Sequence, residues 1–177
     1  MTPLGPLFVA AMLALPGAAA AAETWRVGPA PSDHADLKAA TVTNDDGHTV
    51  YMWLLSGAKA HERQLFCEMH LADGTAFAGE MPVYRIDDAA AVDTADIRDA
   101  GDAQDALWGH VGERIAFWLI SVGPETGAAP DATLAPWLAG NEVAVTFRAA
   151  DGSEQTTRFT LAGSAEAIRS ATGMGGN

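Results

Sequence analysis

The chain has 177 residues, with 23 acidic against 10 basic side chains and a formal net charge of −13. A surface this negative repels phosphate backbones and anionic lipid heads, so nucleic-acid binding and membrane-surface binding are disfavoured. Cys67 is the single cysteine, which rules out an internal disulfide and leaves stability to packing.

The chain opens with a segment that reads as a signal peptide. Leu4 to Ala22 carries no charged side chain, and Leu7 to Leu15 is an apolar run far short of the ~20 residues needed to span a bilayer. Pro16-Gly17 and the alanines from Ala18 to Ala22 follow it, a helix break and then the small residues that signal peptidase accepts. Lys or Arg ahead of the run is missing. The competing reading, a retained anchor, is disfavoured by the length and the alanine tract. The expectation is cleavage of residues 1–22, with a mature N-terminus between Ala21 and Glu23 and a periplasmic or secreted location. What remains is the size of one domain, expected over residues 23–171.

Strands are predicted at Thr24 to Val27, Leu37 to Thr43, His48 to Leu55, Gln64 to Leu71, Val83 to Ile86 and Arg114 to Val122. Two more close the chain, Glu142 to Arg148 and Gln155 to Leu161. The pairs Asp46-Gly47, Asp73-Gly74 and Asp151-Gly152 supply the positive φ angles that tight hairpins need. Val143, Val145 and Phe147 fall on one face of their strand, and Thr157, Phe159 and Leu161 alternate with Thr156, Arg158 and Thr160, the mark of a half-buried antiparallel hairpin. Helical signals are short: a turn through Leu134 to Leu138, capped by Asp131 or Thr133 and stopped at Gly140, and Ala165 to Ala171, capped by Ser164 and stopped at Gly173. Many strands and no long crossover helix predict an all-β, antiparallel sandwich-like domain with two short helical segments. Residues 172–177 hold three glycines and are expected to be a disordered tail.

Two groups of side chains are candidates for metal chemistry. Cys67, Met69, His70 and the upstream His61 include ligand types that suit copper or zinc. On a strand they alternate, however, sending Cys67 and Met69 to one side and His70 to the other. The plainer reading makes Cys67 and Met69 core residues. From Asp87 onward runs an acidic stretch in which Asp93, Asp96, Asp99, Asp102 and Asp105 recur every third residue. Oxygen ligands in number suit calcium, but the spacing lacks the EF-hand pattern. On a helix it turns by about 60° per step, so the carboxylates fan out. A solvated loop or frayed helix is the plainer reading.

Catalytic signatures are missing. Leu119-Ile120-Ser121-Val122-Gly123 has the second glycine of a nucleophile elbow without the first. There is no phosphate-cradling loop, no paired-His zinc motif and no Cys-x-x-Cys. Adjacent Phe117 and Trp118 must point to opposite faces of a strand, which puts one of them outside the core unless the Leu134 to Leu138 turn covers it.

The C-terminal third carries Ala132-Thr133-Leu134, Trp137-Leu138-Ala139-Gly140, Val143 to Phe147, Asp151-Gly152 and Phe159-Thr160-Leu161-Ala162-Gly163 leading into Ser164 to Ala167. This series resembles the end of the invasion-associated locus B family of bacterial exported proteins. The resemblance spans about 45 residues and implies an exported β-sandwich without known catalytic residues, associated in some members with host-cell entry. Family members typically carry several cysteines, and this chain has one. The reading from sequence is an exported, non-enzymatic binding or interaction protein with no cofactor expected. The alternative is a metal-binding accessory protein for copper or zinc.

Overall fold

The computed structural model describes residues 24–31, 35–56, 63–96, 108–121 and 133–174. The leader at 1–22, His61, Asp99 to Asp105, Asp131 and residues 175–177 lie outside them. The described strands are β1 (Arg26–Pro29), β2 (Lys38–Thr43), β3 (Thr49–Ser56), β4 (Arg63–His70), β5 (Val83–Ile86), β6 (Val92–Asp93), β7 (Trp108–Val111), β8 (Ile115–Ser121), β9 (Glu142–Arg148) and β10 (Glu154–Thr160). They form two antiparallel sheets, β1-β2-β3-β4-β8-β7 and β10-β9-β5-β6. The expected all-β sandwich is what the chain adopts.

All eight sequence-predicted strands are present within a few residues. Short β6 and β7 were not anticipated, because two or four residues give too little alternation to read. Asp46-Gly47 joins β2 to β3 and Asp151-Gly152 joins β9 to β10 as hairpin turns, with Gly47 at φ 81° and Gly152 at φ 86°. Asp73-Gly74 differs: it is the corner at which the chain leaves β4 in one sheet for β5 in the other. Arg114 holds this corner, its guanidinium donating to Asp73 at 2.7 Å and to the Leu71 carbonyl at 2.6 Å.

The helices are α1 (Ala135–Ala139) and α2 (Ser164–Thr172). Leu134 stands at the N-cap of α1 without a side-chain cap, and Gly163 takes that place for α2 at φ 85°. Ser164 is therefore the first helical residue rather than the cap, and its hydroxyl donates to the Trp137 carbonyl at 2.7 Å, tying α2 to α1. Gly140 and Gly173 end the helices where expected. The domain continues past residue 171: Thr172 is buried in α2 and Met174 packs on the core. The sequence reading missed this because a glycine-rich composition says nothing about one apolar side chain within reach of a core.

The core gathers the inward faces of both sheets. Across the six-stranded sheet it holds the row Ala40, Met52, Cys67, Trp118 and the row Val42, Val50, Met69, Ala116. Tyr84 of β5 stacks on Trp118 with ring centroids 6.0 Å apart and meets Trp137 of α1 at 5.4 Å. Trp118 and Trp137 are fully buried. Each removes about 150–250 Å² from water, a gross stabilisation of about 4–6 kcal/mol. Helix α2 sets Ala167 and Ile168 against β1 to β3.

Candidate functional site

The six-stranded sheet carries large aromatic side chains on its outward face as well, set among polar ones. Its register places Thr41, Tyr51, Glu68, Phe117 and Gly109 side by side in one outward row. A second outward row holds Ala39, Trp53, Phe66 and Leu119, and a third Thr43, Thr49, His70, Ile115 and Val111. Trp53 stacks on Phe66, with ring centroids 4.7 Å apart and planes within 14°. Tyr51 meets His70 at 4.8 Å, and His70 Nε2 lies 3.0 Å from Glu68 Oε2. Gly109 sits across from Phe117, where a Cβ would come within 3.2 Å of the ring.

Burial on this face is graded. Ala30 and Ala39 are buried around Trp53, which is 2% exposed, with Leu37, Tyr51 and Phe66 packed partly buried at the margin. Phe117 is half-buried on the outward side, opposite Trp118. Helix α1 does not cover it: Trp137 packs on the inward side with Tyr84. Pairing with Phe66 and Phe117 on neighbouring strands brings Tyr51 and Trp53 into one aromatic group on this face.

The metal candidates separate. Cys67 and Met69 are fully buried in the core, while His70 is on the opposite face with Glu68 and Tyr51. Burial pushes the Cys67 thiol well up, and the charge of Glu68 adds to the shift, the reverse of what a ligand thiolate needs. The acidic stretch is described as far as Asp96, and this part is structured rather than a plain loop. Val92–Asp93 forms β6, Thr94–Asp96 is a 3-10 turn, and Thr94 is buried with its hydroxyl donating to the Pro82 carbonyl at 2.6 Å. Asp93 Oδ1 accepts the Ala95 amide at 2.9 Å and Asp96 is exposed. Among the described residues no three His, Cys, Asp or Glu side chains come together as a metal site.

A cleft of about 780 Å³ lies at the end of the four-stranded sheet. Arg85 and Arg158 both pair with Ala144, so they flank it in one row across β5, β9 and β10. Asp87, at φ 47°, accepts the backbone N–H groups of Asn141 at 3.1 Å and Glu142 at 3.0 Å. Those bonds hold its carboxyl below the usual carboxylate range. Asp87 thus latches β5 to the start of β9. Arg158 is paired with Glu142, and the lining mixes both signs of charge. No sequence signal marked this cleft, because its residues are common surface types.

No family model, curated protein or solved structure matches this chain. The reading of function therefore rests on its own residues. No helix among the described residues is long and apolar enough to cross a membrane.

Proposed function

We propose that this is an exported, non-enzymatic binding or interaction protein that meets a protein partner through the outer face of its six-stranded sheet. The observation that carries the reading is the outward aromatic group of Tyr51, Phe66 and Phe117, half-buried, with Trp53 buried beside Phe66. In an antiparallel sandwich the outward face is commonly polar, and Tyr, Trp and Phe are enriched where proteins bind one another. Export rests on the apolar leader and alanine tract at residues 1–22. The resemblance of the C-terminal third to the invasion-associated locus B family points the same way.

The test is site-specific photo-crosslinking in intact cells, with the photoreactive residue at Tyr51 or, as the control, at Thr146 on the outward side of the other sheet. The expected result is a discrete crosslinked partner from position 51 and none from position 146, in an extracytoplasmic fraction. Equal labelling from both positions refutes the assigned surface. Recovery of the protein in the cytoplasm with Met1 intact refutes export.

A further inference from the structure

At one end of the sandwich a buried histidine makes a bond that only its neutral ring can make. His48 follows the Asp46-Gly47 turn and is 5% exposed. Its Nδ1 accepts the Ala72 backbone N–H at 2.9 Å, from the corner between β4 and β5. Its ring meets Phe147 of the four-stranded sheet edge-on at 6.0 Å. Asn44 continues the connection. Its Oδ1 accepts the His48 N–H at 3.0 Å, and its Nδ2 donates to Thr157 Oγ1 and to the Arg158 carbonyl of β10. The β2–β3 turn, the Ala72 corner and β10 are thereby joined through two side chains.

Accepting from Ala72 requires a bare Nδ1, hence the neutral tautomer with its proton on Nε2. An imidazolium has N–H on both nitrogens and nothing to accept with. We propose that His48 is an acid-sensitive latch: protonation turns Nδ1 from acceptor to donor, expels the Ala72 N–H and loosens the β2–β3 turn from the rest of the sandwich end.

The groups around the ring decide the direction of the response. From its own hairpin, Asp46 favours the charged ring. From the corner, Asp73 has its carboxylate engaged by Arg114 at 2.7 Å. Phe147 of β9 and Thr157 of β10 bring no charge. Burial outweighs Asp46 and lowers the pKa of His48 below 6.5. A pKa lower in the folded state than in the unfolded one means that the latch contributes fully above about pH 6.5 and is lost as acid takes the ring through its folded value.

Amide hydrogen exchange of the intact protein, read by NMR and corrected for intrinsic pH dependence, tests this. Between about pH 7 and about pH 5 the Ala72 amide is expected to lose protection several-fold, in step with protonation of the ring. Amides in the middle of β9 should hold. His48→Asn keeps an acceptor near the same place and cannot ionise, so its Ala72 protection should stay flat. Constant protection in the wild type, or the same loss in His48→Asn, overturns the latch. If His48→Asn does not fold, ring ¹⁵N shifts of the wild type decide: the Nε2–H tautomer giving way to imidazolium as Ala72 opens supports the latch, and an imidazolium beside a protected Ala72 overturns it.

Discussion

Replacing Cys67 by Ser measures what the core does with its one thiol. Cys67 stands fully buried between Met52 and Trp118 in a cross-strand row. A serine hydroxyl there is a stronger polar group in apolar surroundings, and burying one without a good partner costs about 1–3 kcal/mol on protein scales. Against a total of about 5–15 kcal/mol this is a large fraction, and at about 2–4 °C per kcal/mol it lowers Tm by about 2–12 °C. The thiol also reports on opening. If a reagent reaches it only in molecules that have opened by about 5 kcal/mol, native labelling is slower than denatured labelling by a factor of about 10³ or more. Urea titration of Cys67→Ser and timed thiol labelling of the wild type give the two numbers. The reasoning is refuted if native protein labels within a few-fold of the denatured rate, and more decisively if one equivalent of Zn(II) or Cu(I) then blocks the reaction, since that places Cys67 at an accessible ligand site.

Asn44→Ala removes the bonds to His48, Thr157 and Arg158 and leaves buried partners behind. The expected loss is about 2–4 kcal/mol in urea denaturation, with Asn44→Asp intermediate because it keeps the acceptor for His48. Gly140→Ala should cost about 1–3 kcal/mol. At φ −74° the backbone accepts alanine, but its Cβ would stand 2.5 Å from Ile86 Cγ2 and 2.8 Å from the Pro136 carbonyl oxygen. A thermal midpoint unchanged from wild type would show that the α1 end can shift aside.

Much of the strand layout was legible because alternation is local. Leu65, Cys67, Met69 and Leu71 form the apolar set of their strand, and hydrophobic burial turned that set inward, as the sequence predicts. Asp46-Gly47 and Asp151-Gly152 likewise specify their turns through backbone preferences of two residues. Asp73-Gly74 has the same local chemistry, yet it closes no hairpin, since the next strand, β5, pairs in the other sheet. Nothing in the residues themselves says which strand β4 will choose.

That choice belongs to tertiary structure. Pairing of β4 with β8, from Gln64↔Ser121 to His70↔Ile115, brings Phe66 and Phe117 onto one outward face and sets Cys67 beside Trp118. The sequence does show that Phe117 and Trp118 part to opposite sides; it does not show what waits on either. Asn44 and Thr157 are 113 residues apart along the chain, and His48 beside an Asp-Asp-Gly turn reads as ordinary hairpin chemistry until Ala72 and Phe147 surround it. Periodicity and turn preference act over neighbouring residues, so the chain alone determined where the longer strands and two of the hairpin turns form. The partners of buried polar groups depend on which surfaces meet when both sheets close on a shared core, and only the folded chain decides that.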